Sequence, residues 1–316
     1  VATIGIDLGG TKIYGVRLKG SEVAGDAKTK TPLHGGPMAV VDAIAGVVAQ
    51  LGGETGEAVG VGAPGMVDPE AGVVKRAPNL PGWIEPFALG PALSEALGGT
   101  TVVIDNDVNV GVLAEHAAGA GQGADDLLAV FVGTGVGGGV VLAGQLRRGP
   151  TGMAGEIGHV IVEAGGRPCG CGGRGHLESY AGRGAMERRA RELDGQGRDT
   201  LLVELTKAKR MTSGIWAKAL AGGDEVAIEL LDEAVHALGV GIAGAVTVLD
   251  VPLVVVGGGL ADRLGAGFVG RVEQAVRTNL FGGAGIAIRV VPSKLGDQAG
   301  AVGAALLAAS PPGGRR

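Results

Sequence analysis

The chain has 316 residues, a net charge of −5, a 46% hydrophobic share and only 3% aromatics, so two domains or one large one can bury a core built from Val, Leu, Ile and Ala. The acidic balance argues against broad nucleic-acid binding, no apolar run reaches the roughly 18 residues of a membrane span, and no leader with a cleavage site is visible. Two cysteines in a C-x-C spacing exclude a disulfide scaffold and fit metal binding in a reducing cytoplasm.

The first strand, at residues 2–8, runs into Asp7-Leu8-Gly9-Gly10-Thr11-Lys12, and a second β-rich run at 13–18 makes the pair a hairpin. Glycines at a strand tip allow close approach to a polyphosphate, with backbone N–H groups facing its oxygens. Thr11 adds a hydroxyl, Lys12 a cation, and Asp7 is placed to orient a hydrated Mg²⁺, although a tight hairpin alone also calls for glycine. A helix at 38–51 and a strand at 58–62 follow. Two turn-forming loops come next, Gly62-Ala63-Pro64-Gly65 and Ala77-Pro78-Asn79-Leu80-Pro81-Gly82-Trp83. Most such loops are connectors, but Asn79 offers both a donor and an acceptor to a sugar hydroxyl.

A helix at 90–97 leads to a strand at 101–104, and Asp105-Asn106-Asp107-Val108-Asn109 then opens a helix at 109–119. An aspartate at such a strand end can accept a hydroxyl proton while a neighbouring amide fixes the substrate. Asp107 or Asn109 fits a helix N-cap equally well. The strand at 128–132 repeats the first design, ending in Gly133-Thr134-Gly135 and returning at 140–142. Because a hairpin follows these glycines, neither a P-loop nor a dinucleotide fingerprint is met; both open directly onto a helix. Two hairpins of one design predict a duplicated architecture with a nucleotide between the halves.

The most informative stretch is Glu156-Ile157-Gly158-His159, which enters a strand expected at 159–162, followed by Cys169-Gly170-Cys171-Gly172-Gly173-Arg174-Gly175-His176-Leu177-Glu178. Both cysteines and two of the five histidines fall within this segment. Two imidazoles and two thiolates form a natural tetrahedral set for Zn²⁺, and four protein ligands leave no position for a reactive water. The site therefore reads as structural, holding Glu156 and Glu178 near one another beside a ligand pocket. Helices at 182–193, 201–208, 214–221 and 224–249 follow. A strand from 253 ends in Gly257-Gly258-Gly259, and a helix at 264–280, a strand at 286–291 and a helix at 297–309 close the chain. Asp224 and Asp297 fit N-caps, and the tail at 311–316 is expected to fray. The alternation of strands and helices makes this an α/β protein.

Together these segments resemble the ROK family of bacterial sugar kinases and repressors, most closely its glucokinase branch, from Asp7 to the Gly296–Ala305 run. The cysteine segment with its Glu-x-Gly-His is the specific part. The DxGGTK strand end is shared with the wider hexokinase, acetate kinase and actin superfamily. The resemblance implies two actin-like (ribonuclease H-like) α/β domains flanking a deep cleft. Residues 1–105 with 297–316 would form the smaller domain, and 106–296 the larger one with a structural zinc site. It also implies Asp107 as the catalytic base, and Asn106, Glu156, His159 and Glu178 as sugar-binding positions, with Gly65 and Asn79 as further contacts. Asp7, Gly9, Gly10, Thr11, Lys12, Thr134 and Gly135 would lie at the phosphate and Mg²⁺ end, and Gly258 at the adenosine end. His159, Cys169, Cys171 and His176 would hold the zinc. His159 would use one ring nitrogen for metal and the other for sugar. His176 stands where the family usually has a third cysteine; zinc accepts either set.

The implied activity is ATP- and Mg²⁺-dependent phosphorylation of glucose at its 6-hydroxyl, in the cytoplasm and within glycolysis, by a homodimer or homotetramer. Kinases for fructose, mannose, allose or an N-acylated amino sugar are the alternatives, as is a non-catalytic sugar-binding regulator on the same scaffold. Polyphosphate is a conceivable second donor. No membrane or nucleic-acid partner is implied: a phosphate strand beginning at residue 2 leaves no room for a repressor's helix-turn-helix.

Overall fold

In β1 (Ala2–Leu8) the side chains of Ile4, Ile6 and Leu8 share one face, as the two-residue period of a strand requires, and all three are fully buried. They meet Val40, Val41, Ile44 and Val47 of α1 (Gly36–Gln50). The computed structural model describes residues 2–52, 56–77, 80, 82–206, 209–282 and 285–310; Asn79 and the tail at 311–316 lie outside the described residues. Two compact units emerge, Val1–Gly123 with Arg148–Gly152 and Asp297–Arg316, and Ala124–Arg147 with Met153–Gly296.

The sheet of the first unit has the order β3-β2-β1-β4-β7, where β2 is Lys12–Lys19, β3 Glu22–Lys30, β4 Ala58–Ala63 and β7 Val102–Asn106. Between β4 and β7 lie a small ribbon, β5 (Met66–Asp68) and β6 (Val73–Arg76), and α2 (Leu89–Ala96). The first three strands are antiparallel neighbours, while β1, β4 and β7 run parallel. Their carboxyl ends therefore share one edge, where ligands of open α/β sheets gather. The opposite face of β1 and β4 carries glycines beneath α10 (Ala299–Ala309). A β-carbon on Gly5 would overlap the Ala301 carbonyl, and one on Gly60 the Ala304 carbonyl. Alanine along α10 and glycine along the strands thus bring two backbones together, a use for glycine that its count does not reveal. Gly60→Ala is expected to destabilise the protein by about 3 kcal/mol, the upper range for forcing atoms into a filled core. An unchanged urea midpoint in that variant would show that α10 can lift without loss.

The second sheet repeats the first. Its order is β10-β9-β8-β11-β12, formed by β8 (Leu127–Val132), β9 (Val136–Leu142), β10 (Gln145–Arg147), β11 (Leu253–Gly257) and β12 (Arg289–Pro292). Again three antiparallel strands are followed by two parallel ones. The duplicated architecture read from the two hairpins is therefore present. The core of this unit joins β8 and β11 to α5 (Arg183–Gly195), α7 (Ser213–Ala221), α8 (Glu225–Leu249) and α9 (Gly259–Asn279). Two shorter helices, α4 (Glu178–Ala181) and α6 (Leu201–Thr206), complete it, and α3 (Asp107–Ala118) belongs to the first unit against α10. Among the described residues no helix is long and apolar enough to cross a membrane.

Several expectations change. Residues 159–162 form no strand: a 3₁₀ turn, Ile157–His159, is followed by an isolated bridge between Ile161 and His176. The reason is that the Val162 and Glu163 amides both donate to the Gly175 carbonyl, closing the segment on itself. Asp224 does cap α8, accepting from the Ala227 amide at 2.7 Å. Asp297 does not cap α10; it lies in a 3₁₀ turn, and Gln298 holds that position without a side-chain bond. The helix expected from 264 begins earlier, at Gly259, with a break at Gly265 where φ is 71°.

Candidate functional site

At the carboxyl end of β1 the turn closes through a bond from the Gly9 amide to the Lys12 carbonyl at 2.9 Å, and Thr31 hydrogen-bonds the Gly9 carbonyl. Gly10 and Lys12 are half-buried, Thr11 is exposed, and the Lys12 ammonium lies 5.2 Å from the Tyr14 ring centroid. Burial pushes the Asp7 carboxyl up to about 6; Lys12 opposes the shift and the Asp297 carboxylate adds to it. The partly buried Asp7 and the exposed Asp297, close enough to feel one another's charge, fit a site for a divalent cation.

The sign of this shift fixes a pH dependence for the metal-free protein. The folded Asp7 binds its proton more tightly than the unfolded one, from 3.8 to about 6, so stability is fully present below the lower value and is lost as pH rises through the upper. The loss amounts to about 3 kcal/mol. Asp7→Asn should flatten the fall in denaturation midpoint between these limits, and a wild-type midpoint constant across that window would contradict the assignment.

At the carboxyl end of β7 the sequence arranges one acid below the surface and one above it. Asp105 is 1% exposed and takes the Arg148 guanidinium at 2.6 Å, the Asn109 amide at 2.9 Å and the Asn106 backbone N–H at 2.7 Å. A buried charge this well paired holds its neighbours in one geometry. Asn106 is the N-cap of α3: its side-chain oxygen accepts from the Val108 and Asn109 amides at 2.9 and 3.2 Å. Its side-chain amide donates to the Gly65 carbonyl at 3.0 Å, joining the loop after β4 to the start of α3. Gly65 has φ 89°, and a β-carbon there would overlap the Arg76 carbonyl. Asp107 occupies the first turn of α3, half-buried, with Oδ1 accepting from the Val108 amide at 2.9 Å. The cap is thus Asn106 rather than Asp107 or Asn109.

In the second unit the β8–β9 turn is fixed from three sides. The Gly133 amide donates to the Gly135 carbonyl at 2.9 Å, and the first amides of α5, from Arg183 and Gly184, donate to the Gly133 and Thr134 carbonyls. Glu178 accepts from the Val136 amide at 3.0 Å, and a β-carbon on Gly135 would strike its carboxylate. Gly135 is therefore a seat for Glu178. At the end of β11, Gly258 has φ 87° and lies against the backbone of Val132, so it borders the end of β8 and its turn. The glycine of Glu-x-Gly-His has a similar origin, since a β-carbon on Gly158 would overlap the Val136 carbonyl.

The four predicted metal ligands come together. One donor atom from each of His159, Cys169, Cys171 and His176 lies within 4.8 Å of all the others, close enough to hold a metal ion. Cys169 Sγ lies 3.9 Å from His159 Nδ1, and Cys171 Sγ lies 3.2 Å from His176 Nδ1. Burial pushes the Cys169 thiol up, while the buried Ser179 hydroxyl beside it favours the thiolate. An N₂S₂ donor set fits a tetrahedral thiophilic ion. The segment is braced by Arg167, which pairs with Glu233 of α8 at 2.8 Å, stacks 4.9 Å from the Tyr180 ring, and donates its backbone N–H to the Tyr180 hydroxyl. Tyr180 in turn donates to Glu163. Glu156 is exposed at the head of the 3₁₀ turn, where its carbonyl accepts from the His159 amide at 3.0 Å.

Each unit thus collects its own set. Asp7 to Lys12, Gly65, Asn106 and Asp107 share the carboxyl edge of the first sheet, and Thr134, Gly135, Glu178 and Gly258 share that of the second. Sequence reasoning missed Arg148, Arg183 and Arg210. Arg148 lies 43 residues from its partner Asp105, and only the fold joins them.

A chain built from two sheets of identical order, each with a glycine hairpin and a helix after its parallel strands, has the actin-like two-domain α/β fold. The sequence profile described as "ROK family" matches residues 3–310, and the chain belongs to the ROK family. It is 36% identical to a glucokinase of Streptomyces coelicolor over 98% of both chains, and 34% identical to a glucokinase of Thermotoga maritima over 96% of this chain and 95% of that one. It is similar in structure to a ROK family glucokinase from Streptomyces griseus, solved in complex with glucose and AMPPNP, with a TM-score of 0.83 and 35% identity over 98% of this chain and 99% of the other.

Proposed function

We propose that this protein phosphorylates glucose at its 6-hydroxyl with Mg²⁺-ATP as donor. It is an ATP-dependent hexokinase-type phosphotransferase. The observation that carries the reading is the first-sheet edge, where Asp107 stands on a braced helix start beside Asn106 and Gly65, on the same edge as the Asp7–Lys12 turn. Phosphoryl transfer asks the protein chiefly to position reactants and stabilise charge.

In this mechanism Asp107 accepts the proton of the attacking hydroxyl, and Asn106 fixes the sugar. Asp105 and Arg148 act through their neighbours, keeping Asn106 and Asp107 in register. The Gly9–Gly10 amides, Thr11 and Lys12 would meet the donor's phosphates, as would Thr134 and Gly135, with Gly258 serving the adenosine. Asp7 would hold hydrated Mg²⁺, which supplies neutralising charge to the transferring group. Zn²⁺ fits the N₂S₂ cluster as a structural ion. It would fix the 3₁₀ turn so that His159 presents its other ring nitrogen, and Glu156 and Glu178 their carboxylates, to the sugar.

The test is a coupled ADP-release screen over glucose, fructose, mannose, allose and N-acylated amino sugars, with and without a zinc chelator. Glucose is expected to give the highest kcat/KM, with activity falling on chelation. Faster turnover of another hexose would reassign the substrate, and no sugar-dependent ADP release would leave a sugar-binding regulator. Elution volume in solution would check the expected dimer or tetramer.

A further inference from the structure

We propose that Arg183 and Arg210 form a two-guanidinium clamp for the phosphate chain of the phosphoryl donor, at the β8–β9 turn. The inference deepens the kinase reading and rests on it for the identity of the donor.

Arg183 and Arg210 come from different segments, the start of α5 and the stretch before α7, yet both donate to one hydroxyl. Thr134 Oγ1 lies 3.1 Å from Arg183 Nη2 and 3.5 Å from Arg210 Nη2. Arg183 is held from behind by a 2.8 Å bond from Nη1 to the Ser213 hydroxyl, while its own backbone N–H donates to the Gly133 carbonyl. Neither guanidinium has a carboxylate within salt-bridge distance among the described residues. Glu187 is the acid whose charge reaches Arg183, and both its oxygens are engaged, one by Arg191 at 2.8 Å and the other by the Met211 amide at 3.0 Å.

Two cations aimed at a neutral hydroxyl repel each other. Burial and the Arg210 charge together lower the Arg183 pKa. With no carboxylate paired to either cation among the described residues, an anion with several oxygens in a row is the complement of these two planar, five-donor groups. Thr134 and Arg210 are exposed, so an anion can reach them without rearrangement. The turn they flank stands at the carboxyl edge of the second sheet, and the first two α5 amides, from Arg183 and Gly184, are already spent on the Gly133 and Thr134 carbonyls. Recognition therefore falls to the side chains. Their chemistry is that of a phosphoanhydride chain, whether of a nucleoside triphosphate or of inorganic polyphosphate.

The experiment is calorimetric titration of the full-length protein with ATP, tripolyphosphate and adenosine, at low and at physiological salt. Arg210→Gln is the primary variant, because its side chain is exposed; Arg183→Gln and Arg210→Lys accompany it. Each Gln variant is expected to bind ATP about tenfold more weakly or worse, with a shallower salt dependence, and Arg210→Lys to recover part of the loss. Adenosine affinity should not change. Loss toward both phosphate compounds assigns the clamp to either donor, and loss toward ATP alone assigns it to the nucleotide. Wild-type ATP affinity in Arg210→Gln, equal weakening of adenosine and ATP, or a wild type that binds neither phosphate compound would overturn the proposal. If Arg183→Gln fails to fold, Arg210→Gln decides alone. A wild type that binds ATP in this manner yet releases no ADP with any hexose would sink the kinase reading and leave the clamp standing.

Discussion

Asp107→Asn is expected to lower kcat about 10²- to 10⁴-fold, the range spanned by positioned general bases, while glucose binding stays measurable. The substitution keeps the size of the side chain and leaves the Asn106 cap and the Asp105–Arg148 pair in place, so α3 should start where it does now. Only the capacity to receive a proton is removed. Single-turnover kinetics with saturating glucose and ATP give the rate of the chemical step, and fluorescence titration gives the sugar affinity. Turnover within a few-fold of wild type would refute the role. An equal loss of glucose affinity would instead make Asp107 a binding group.

Cys169→Ser should abolish metal binding at the N₂S₂ cluster and weaken glucose binding at least about tenfold, in line with the effect of disturbing a metal's supporting residues. Cys169 is the buried member of the N₂S₂ set and lies beside His159, whose ring follows the 3₁₀ turn seated on Val136. Without metal the two thiols and two imidazoles keep only weak contacts with one another, while the Arg167–Glu233 pair, just before Cys169, still ties the segment to α8. The loss should therefore be local. Elemental analysis is expected to fall from one zinc per chain to none, with the remaining secondary structure intact by circular dichroism. Metal-free protein that binds glucose at wild-type affinity would separate the cluster from the sugar site.

The parts legible in the sequence were those written within a few residues. Strand-to-glycine hairpins, the C-x-C with its flanking histidines and the Asp-Asn-Asp run each declare their chemistry locally, and each folds as a local unit. What escaped was set by long-range contact. The strand β3 is charged and all its residues are at least partly exposed, so no apolar period marks it; it forms because β2 offers a free edge. The expected strand at 159–162 carries the right β-branched residues, but Gly175 takes its amides. Arg148, Arg183 and Arg210 read as ordinary surface cations until the fold brings Asp105 and Thr134 to them. Several glycines read as phosphate contacts also serve as room for a neighbour, Gly135 for Glu178 being the clearest.

The placement of α10 bears on the order of events during synthesis. Strands β1 and β4 leave the ribosome early, but the helix that covers their glycine-bearing face is encoded by residues 299–309. At roughly 5–20 residues per second that face waits many seconds for its cover. The unit containing Ala124–Arg147 and Met153–Gly296 has all its strands before then, so it should gain protease resistance first, and the amino-terminal unit should lock only once α10 has emerged.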